Sequence, residues 1–379
     1  MHKNKPIKSF FFWIVLIIGC LIAYFQSGPS KPQFYIPQKA KIDSKSKTEP
    51  LFLSNFIPQP TYLKESYSPA LTSLSNGDLI CFFYAGNEEG SPDVNIYQTR
   101  YHDKKWSEPK VTVTPKMLSY DTRRYTRKVG NPAVYRAQNG KLHLFVVTVT
   151  LGGWAGSKLN HLISSDEGET WQRATNLKLS PFIDISNASR TAPVGLEDGG
   201  FYVPIYYEMI RCYPEILRFN KDGKFLEKIR LNDHNDLLQP DLVPISSSEA
   251  HAYFRNKGDV DKITYTQKTT DGGLTWNNLE KTNLEGPDSS LVVARLDKNL
   301  YIMVCNLGDR GTIVLNSSHD GINWNQVMVF DELKGSTFAY PAISVNGNIV
   351  DIVYSWNERV ALKHITFNKE WLMSKENVK

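Results

Sequence analysis

Cysteine is scarce. The four in 379 residues form no Cys-x-x-Cys pair and no Cys/His set at metal-ligand spacing. A disulfide framework and a structural zinc site are therefore not expected, and no cofactor or metal is implied. Long stretches with a helical apolar period are missing too, which argues against an α or α/β class. Positive charge is absent where nucleic-acid binding would need it. The net charge is +5, but residues 1–25 and 26–50 each carry +3, which leaves −1 for residues 51–379. Nucleic acid is thereby excluded as a partner. With 41% hydrophobic and 22% charged residues, the chain is neither disordered nor collagen-like. Aromatics, at 12%, suit β structure and sugar contact.

One long apolar run is present. Residues 10–25 read FFFWIVLIIGCLIAYF and follow Lys3, Lys5 and Lys8. This pattern predicts a signal anchor, with residues 1–9 in the cytoplasm and the remainder outside. Cleavage is the alternative, as is lipidation at Cys20, which follows a lipobox-like Ile17-Ile18-Gly19. Residues 26–50, rich in Ser, Pro and Lys, read as a flexible stem. The expected setting is the cytoplasmic membrane, with residues 51–379 on its extracytoplasmic, periplasmic side.

From residue 51 the chain is short runs of Val, Ile, Phe, Tyr and Thr cut by Asn-Gly and Asp-Gly pairs, a hairpin pattern. Two series repeat within it. Ser-Ser-Asp-Glu-Gly-Glu-Thr-Trp (164–171), Thr-Thr-Asp-Gly-Gly-Leu-Thr-Trp (269–276) and Ser-Ser-His-Asp-Gly-Ile-Asn-Trp (317–324) are versions of one turn. Its Asp caps the turn, its Gly takes positive φ, and its Trp packs back. Weaker copies lie at Asp103, Asp222 and Asn368, so that six turns are spaced by 63, 56, 49, 49 and 48 residues. In step with them, Pro69, Pro132, Pro193, Pro240, Pro287 and Pro341 each open a strand. Two series of six predict an all-β, six-bladed β-propeller over residues 51–379, with the longer first two repeats adding loops over one face.

The turn motif is the Asp-box of sialidase-like propellers, and residues 60–372 resemble the sialidase superfamily, in particular bacterial sialidase-like proteins with BNR repeats. AGNEEGSPDVNIY (85–97), RRYTRKVGNPAVY (123–135), GGWAGS (152–157), LQPDLV (238–243) and YSWNERV (354–360) carry that resemblance. It implies a clamp of three arginines for a sugar carboxylate, a Tyr nucleophile activated by a Glu, and an Asp acid/base. Arginines suit a carboxylate because they stay charged and bind it bidentately. A neutral Tyr avoids repulsion from that carboxylate, and the leaving oxygen needs a proton donor.

By this resemblance Arg255 and Arg310 are the second and third arginines, Tyr340 is the nucleophile, and Asp93 is the acid with Glu89 close behind. Two positions depart from the family. Tyr67 stands where the first arginine belongs, and Gln239 where the activating Glu belongs. Asp241, two residues on and on the same strand face by simple alternation, is a candidate substitute base. Arg127 and Arg190 are candidates to restore the missing charge. Asn131, Gln239 and Asp241 are expected to line the central mouth, Glu208 to face it, and Trp154, among glycines, to stack on a sugar ring. Trp171, Trp276 and Trp324 are expected in the core, and Cys81 and Cys305 as buried thiols.

The function expected is an exo-acting glycosidase on an acidic sugar, sialic acid or a related nonulosonic acid, of a glycan or surface polysaccharide. A hydrolase or lyase of uronate polysaccharide, favoured by the changes at Tyr67 and Gln239, and a non-catalytic glycan-binding propeller, favoured by Gln239, are the alternatives.

Overall fold

The computed structural model describes residues 13–16, 18, 31–37, 49–182, 184–258, 261–286 and 288–376. Most of the apolar run 10–25 lies outside them. Among the described residues no helix is long and apolar enough to cross a membrane.

Residues 52–368 form six antiparallel sheets arranged as blades. The inner strands are Glu65–Ser73, Lys128–Arg136, Leu237–Pro244, Val292–Asp297 and Ala339–Asn346 in blades one, two, four, five and six. Blade three has two short inner pieces, Ala188–Ser189 and Val194–Gly195. Six apolar clusters fill the gaps between neighbouring blades. Strands buried on both faces explain why long stretches such as Leu79–Gly86 carry no alternation.

The Asp-boxes repeat one set of bonds. The Asp166 carboxylate accepts from Thr170 N (2.9 Å), and that of Asp271 from Thr275 N (2.9 Å). The Asp320 carboxylate accepts from Asn323 N at 2.7 Å. Such N–H bonds hold Asp320 below the usual carboxylate range against the opposing effect of burial. Gly168 shows why the turn needs glycine: φ is +90°, and a Cβ would stand 2.9 Å from Ile80 Cδ1. Trp324 is buried, while Trp171 and Trp276 are partly buried against the blade clusters. Cys81 and Cys305 are buried in second strands, as expected.

The sixth repeat departs from the others. Instead of turning into a fourth strand at Asn368, the chain enters a helix, Lys369–Glu376. The outer strand of blade six is Phe52–Phe56, paired antiparallel with Ala361–Asn368. Asn368 serves both ends: its Oδ1 accepts from Leu51 N and from Trp371 N, 2.9 and 3.0 Å away.

The stem reading also changes. Residues 31–37 are seated on blades three and four rather than standing free. Phe34 N donates to Ser247 O (2.6 Å), Tyr35 N to Gly195 O (2.9 Å), and Glu197 N to Gln33 O (2.8 Å). The Phe34 ring is fully buried against Tyr202. Gly272 makes room for this segment, since a Cβ there would meet Pro32 O at 1.7 Å.

Because strands alternate in direction, inner strands begin on one face, here called the mouth, and the Asp-boxes lie on the other. The additions of the first two repeats include a helix, Pro115–Thr122, packed on the cluster between blades one and two, and the loop 150–156 at the mouth.

Candidate functional site

Four inner strands enter the mouth through the same irregularity. Ser68, Asn131, Gln239 and Tyr340 each precede a proline and have φ of +46°, +42°, +50° and +57°. In each blade the ladder breaks there, between Tyr67 and Ala70, Gly130 and Ala133, Leu238 and Asp241, and Ala339 and Ala342. Proline has no N–H for the ladder, so a bulge is where it fits. The bulge re-aims the preceding side chain. A bulky residue at positive φ is strained, a condition that concentrates at functional sites.

Arg255 and Arg310 meet on a single carboxylate. Arg255, on the second strand of blade four, donates Nε–H to Asp288 Oδ1 at 2.6 Å. Arg310 donates from both Nε (2.9 Å) and Nη2 to the Asp288 main-chain oxygen, and the same Nη2 lies 3.4 Å from Asp288 Oδ2. Burial works against the Arg255 charge, but the pairing with Asp288 outweighs it and raises its pKa. The structure thus brings together the two arginines expected to form a clamp. Asp288, in Gly286-Pro287-Asp288, is a residue the sequence reading missed.

Tyr340 lies at the start of blade six, half-buried, with the Arg190 guanidinium 5.5 Å from its ring centre. Arg190 is not a free clamp residue. It is buried in the channel, where its Nη2 donates to Pro341 O at 2.8 Å and its Nη1 lies 3.4 Å from Pro69 O. Burial lowers its pKa to about 10. It braces blades one and six beneath the mouth.

Gln239 is committed as well. Ser290 Oγ donates to its Oε1, and Tyr206 hydrogen-bonds to the same amide. Asp241 does not replace the missing base. The bulge at Gln239 breaks the alternation that would have put the two side chains on one face. Asp241 is buried lower down, where Oδ2 accepts from Val293 N at 2.6 Å. Burial raises its pKa to about 7, with the Val293 bond and Arg190 opposing.

Asp93 is bonded within its own loop. Its Oδ2 accepts from Asn87 N and Nδ2 at 2.9 and 2.8 Å, and Ser91 Oγ donates to Oδ1. The Ser91 bond, opposed by desolvation and assisted by those from Asn87, lowers its pKa. Glu89 is the carboxylate that reaches the mouth. Oε1 accepts from Trp154 Nε1 at 3.1 Å and from Tyr84 Oη at 3.3 Å, and Oε2 pairs with Arg359 Nη1 at 3.0 Å.

Trp154 is therefore held by its indole N–H and packed over Gly130, where a Cβ would stand 2.5 Å from the ring. It is not a free-standing platform. Tyr67 is buried and stacked on Tyr84, with the Arg359 guanidinium 4.9 Å from its ring centre. Arg359 thus brings a positive charge to the position of the missing first arginine. Three consecutive residues at positive φ, Asn357, Glu358 and Arg359, turn it there. YSWNERV was its signal in the sequence, but no spacing rule places a loop of the last blade over a strand of the first.

Glu208, Arg127 and Asn131 complete the candidates. Glu208 Oε1 pairs with Lys257 Nζ at 2.9 Å across blades three and four. Arg127 is exposed at the mouth end of blade two, where its main chain bonds to Val149 O. Asn131 is buried, and its side-chain amide has no hydrogen-bond partner among the described residues, which leaves it available to a ligand. No set of three His, Cys, Asp or Glu side chains among the described residues is close enough to hold a metal.

Residues 77–352 match the BNR repeat-like domain. The chain belongs to that family. Its propeller is similar in fold to a protein of unknown function from Dyadobacter fermentans, with a TM-score of 0.66 at 14% identity, over 83% of this chain and 97% of that one. It is also similar to the Hadza microbial sialidase Hz136 (TM-score 0.66, 19% identity, 81% of this chain and 66% of that one). The Streptococcus pneumoniae NanB sialidase gives a TM-score of 0.64 at 10% identity, over 89% of this chain and 70% of that one. The BNR repeat-like chain thus spans about two thirds of those sialidases. No protein of curated function matches it. At these identities the likeness is one of fold, and the chemistry must be argued from the mouth itself.

Proposed function

We propose that the mouth binds a carboxylate-bearing sugar, sialic acid or a related nonulosonic acid at the end of a glycan, and that the protein acts on it as an exo-glycosidase. The observation that carries this reading is the convergence of Arg255 and Arg310 on one carboxylate, that of Asp288. Two guanidinia so placed suit a sugar carboxylate. Tyr340, aimed by its bulge, is the nucleophile in this reading. Glu89 is the carboxyl group at the mouth in this reading, and to give a proton to the leaving oxygen it must first release Arg359, as Asp93 would have to release Ser91 and Asn87. The lysine-flanked run 10–25 supports a tether to the cytoplasmic membrane with the propeller outside.

Gln239 favours a second reading. Its amide is bonded to Ser290 and Tyr206, and among the described residues no carboxylate pairs with the Tyr340 hydroxyl. A glycan-binding propeller without turnover needs no such base.

Hydrolysis of a fluorogenic sialoside by the detergent-solubilised full chain separates the two. Turnover that falls at least 100-fold in both Arg255→Ala and Tyr340→Phe is the expected result. Sialic acid binding that Arg255→Ala abolishes, without turnover in any variant, would establish the second reading. Neither binding nor turnover would remove the acidic sugar as ligand.

A further inference from the structure

We propose that Asp288 is a built-in competitor for the carboxylate site, closing the Arg255–Arg310 clamp in the empty protein and swinging out when an acidic ligand enters. The inference rests on the reading of the mouth as an acidic-sugar site and adds the residue that sets its affinity.

Both carboxylate oxygens of Asp288 face guanidinium groups, Oδ1 at 2.6 Å from Arg255 Nε and Oδ2 at 3.4 Å from Arg310 Nη2. A ligand carboxylate would take Arg255 Nε–H and the second N–H of Arg310 Nη2, whose other N–H donates to the Asp288 main-chain oxygen. While Asp288 stays, the two arginines and the aspartate carry a net charge of +1, and an incoming carboxylate meets a like charge at close range.

Asp288 is free to leave. Its side chain is 42% exposed, and among the described residues its carboxylate has no donor besides the two arginines. The loop does not depend on that carboxylate. Ser289 Oγ donates to Asn306 Oδ1, Ser290 Oγ to Gln239 Oε1, and Arg310 Nε to the Asp288 main-chain oxygen. A side-chain rotation therefore opens the clamp with the backbone in place and Arg310 still anchored.

Lys257, paired with Glu208 at 2.9 Å, is a further cation close enough to interact with the Asp288 charge. Glu89 offers the contrast. It is also paired with an arginine, but Trp154 and Tyr84 hold it as well. The Arg255 side chain is mostly buried, so its charge is costly to leave unpaired, and Asp288 leaves only as a bidentate ligand carboxylate takes its place.

The test is isothermal titration of the full chain in detergent with N-acetylneuraminic acid and with its methyl ester. Asp288→Asn preserves size and the main-chain bond from Arg310. It is expected to bind the acid at least tenfold more tightly than the wild type and the ester with unchanged affinity. Equal or weaker binding of the acid would overturn the proposal, because Asp288 would then be orienting the arginines rather than competing for them. If neither protein binds the sugar, the acidic-sugar reading fails. Acetate, a bare carboxylate, then decides the gate by the same sign: tighter binding by the variant supports it, and equal or weaker binding overturns it. Should Asp288→Asn not fold, Asp288→Ser is measured in the same way.

Discussion

Asp241 and Arg190 share a channel cavity of about 100 Å³ beneath the mouth. Water is a better solvent for a carboxylate than this cavity, so burial raises the Asp241 pKa from 3.8 to about 7. The folded protein therefore keeps a proton that the unfolded chain releases. The resulting stability is fully present below the unfolded pKa, declines as pH rises from about 4, and is lost once pH passes about 7. Buried His143 and His251, each lowered to about 4, slope the other way over part of that window, so a difference measurement is needed. Asp241→Asn removes the titration and keeps an acceptor for Val293 N. Denaturant unfolding at pH 5 and pH 8 should show the wild type losing more stability than the variant on going to pH 8. The difference is expected to be a few kcal/mol at most. Parallel losses in the two proteins would mean that Asp241 is ionised in the fold throughout.

At the scale of the element, the pre-proline bulge is the device that builds the mouth. A strand alternates with period two, and a residue count from Gln239 to Asp241 gives one face only while that period holds. The bulge breaks it in four blades at equivalent places, and so the four preceding side chains leave the pattern of their strands. Strain is the consequence. At Ser68 it brings no visible return, because the hydroxyl is buried without a partner while the main-chain N lies 3.3 Å from Ser355 Oγ. Ser68→Gly relieves the positive φ and deletes an unsatisfied hydroxyl. It should raise stability by about 0.5–1 kcal/mol, seen as a higher melting temperature. A fall in melting temperature would show that the Ser68 side chain packs more than its φ costs.

The whole molecule is a ring, and a ring must be closed. Strand Phe52–Phe56 closes it by completing blade six, so residues from both ends of the propeller share one sheet. The segment 31–37 adds a second attachment on blades three and four, through main-chain bonds and the buried Phe34 ring. Phe34→Ala should cost about 3–5 kcal/mol in denaturant unfolding, the range for emptying a buried aromatic site. An unchanged midpoint would mean that the segment is no part of the cooperative fold.

The class, the number of blades and the three full Asp-boxes were legible along the chain. Those are local matters, decided by turn chemistry within about eight residues and by strand runs that recur every 48 to 63 residues. Arg255 and Arg310 were marked by the family resemblance of their blades. Which residues these side chains meet depends on contacts between blades. Asp288 joins the arginines of blades four and five, Arg359 comes from blade six to stand over Tyr67 of blade one, and Arg190 bonds to carbonyls of blades one and six. Asp93 shows the same limit: a loop can use its own carboxylate, and no pattern along the chain distinguishes that use from one at the mouth. A site assembled from one or two side chains per blade has no spacing in the sequence, since closure of the ring sets its distances.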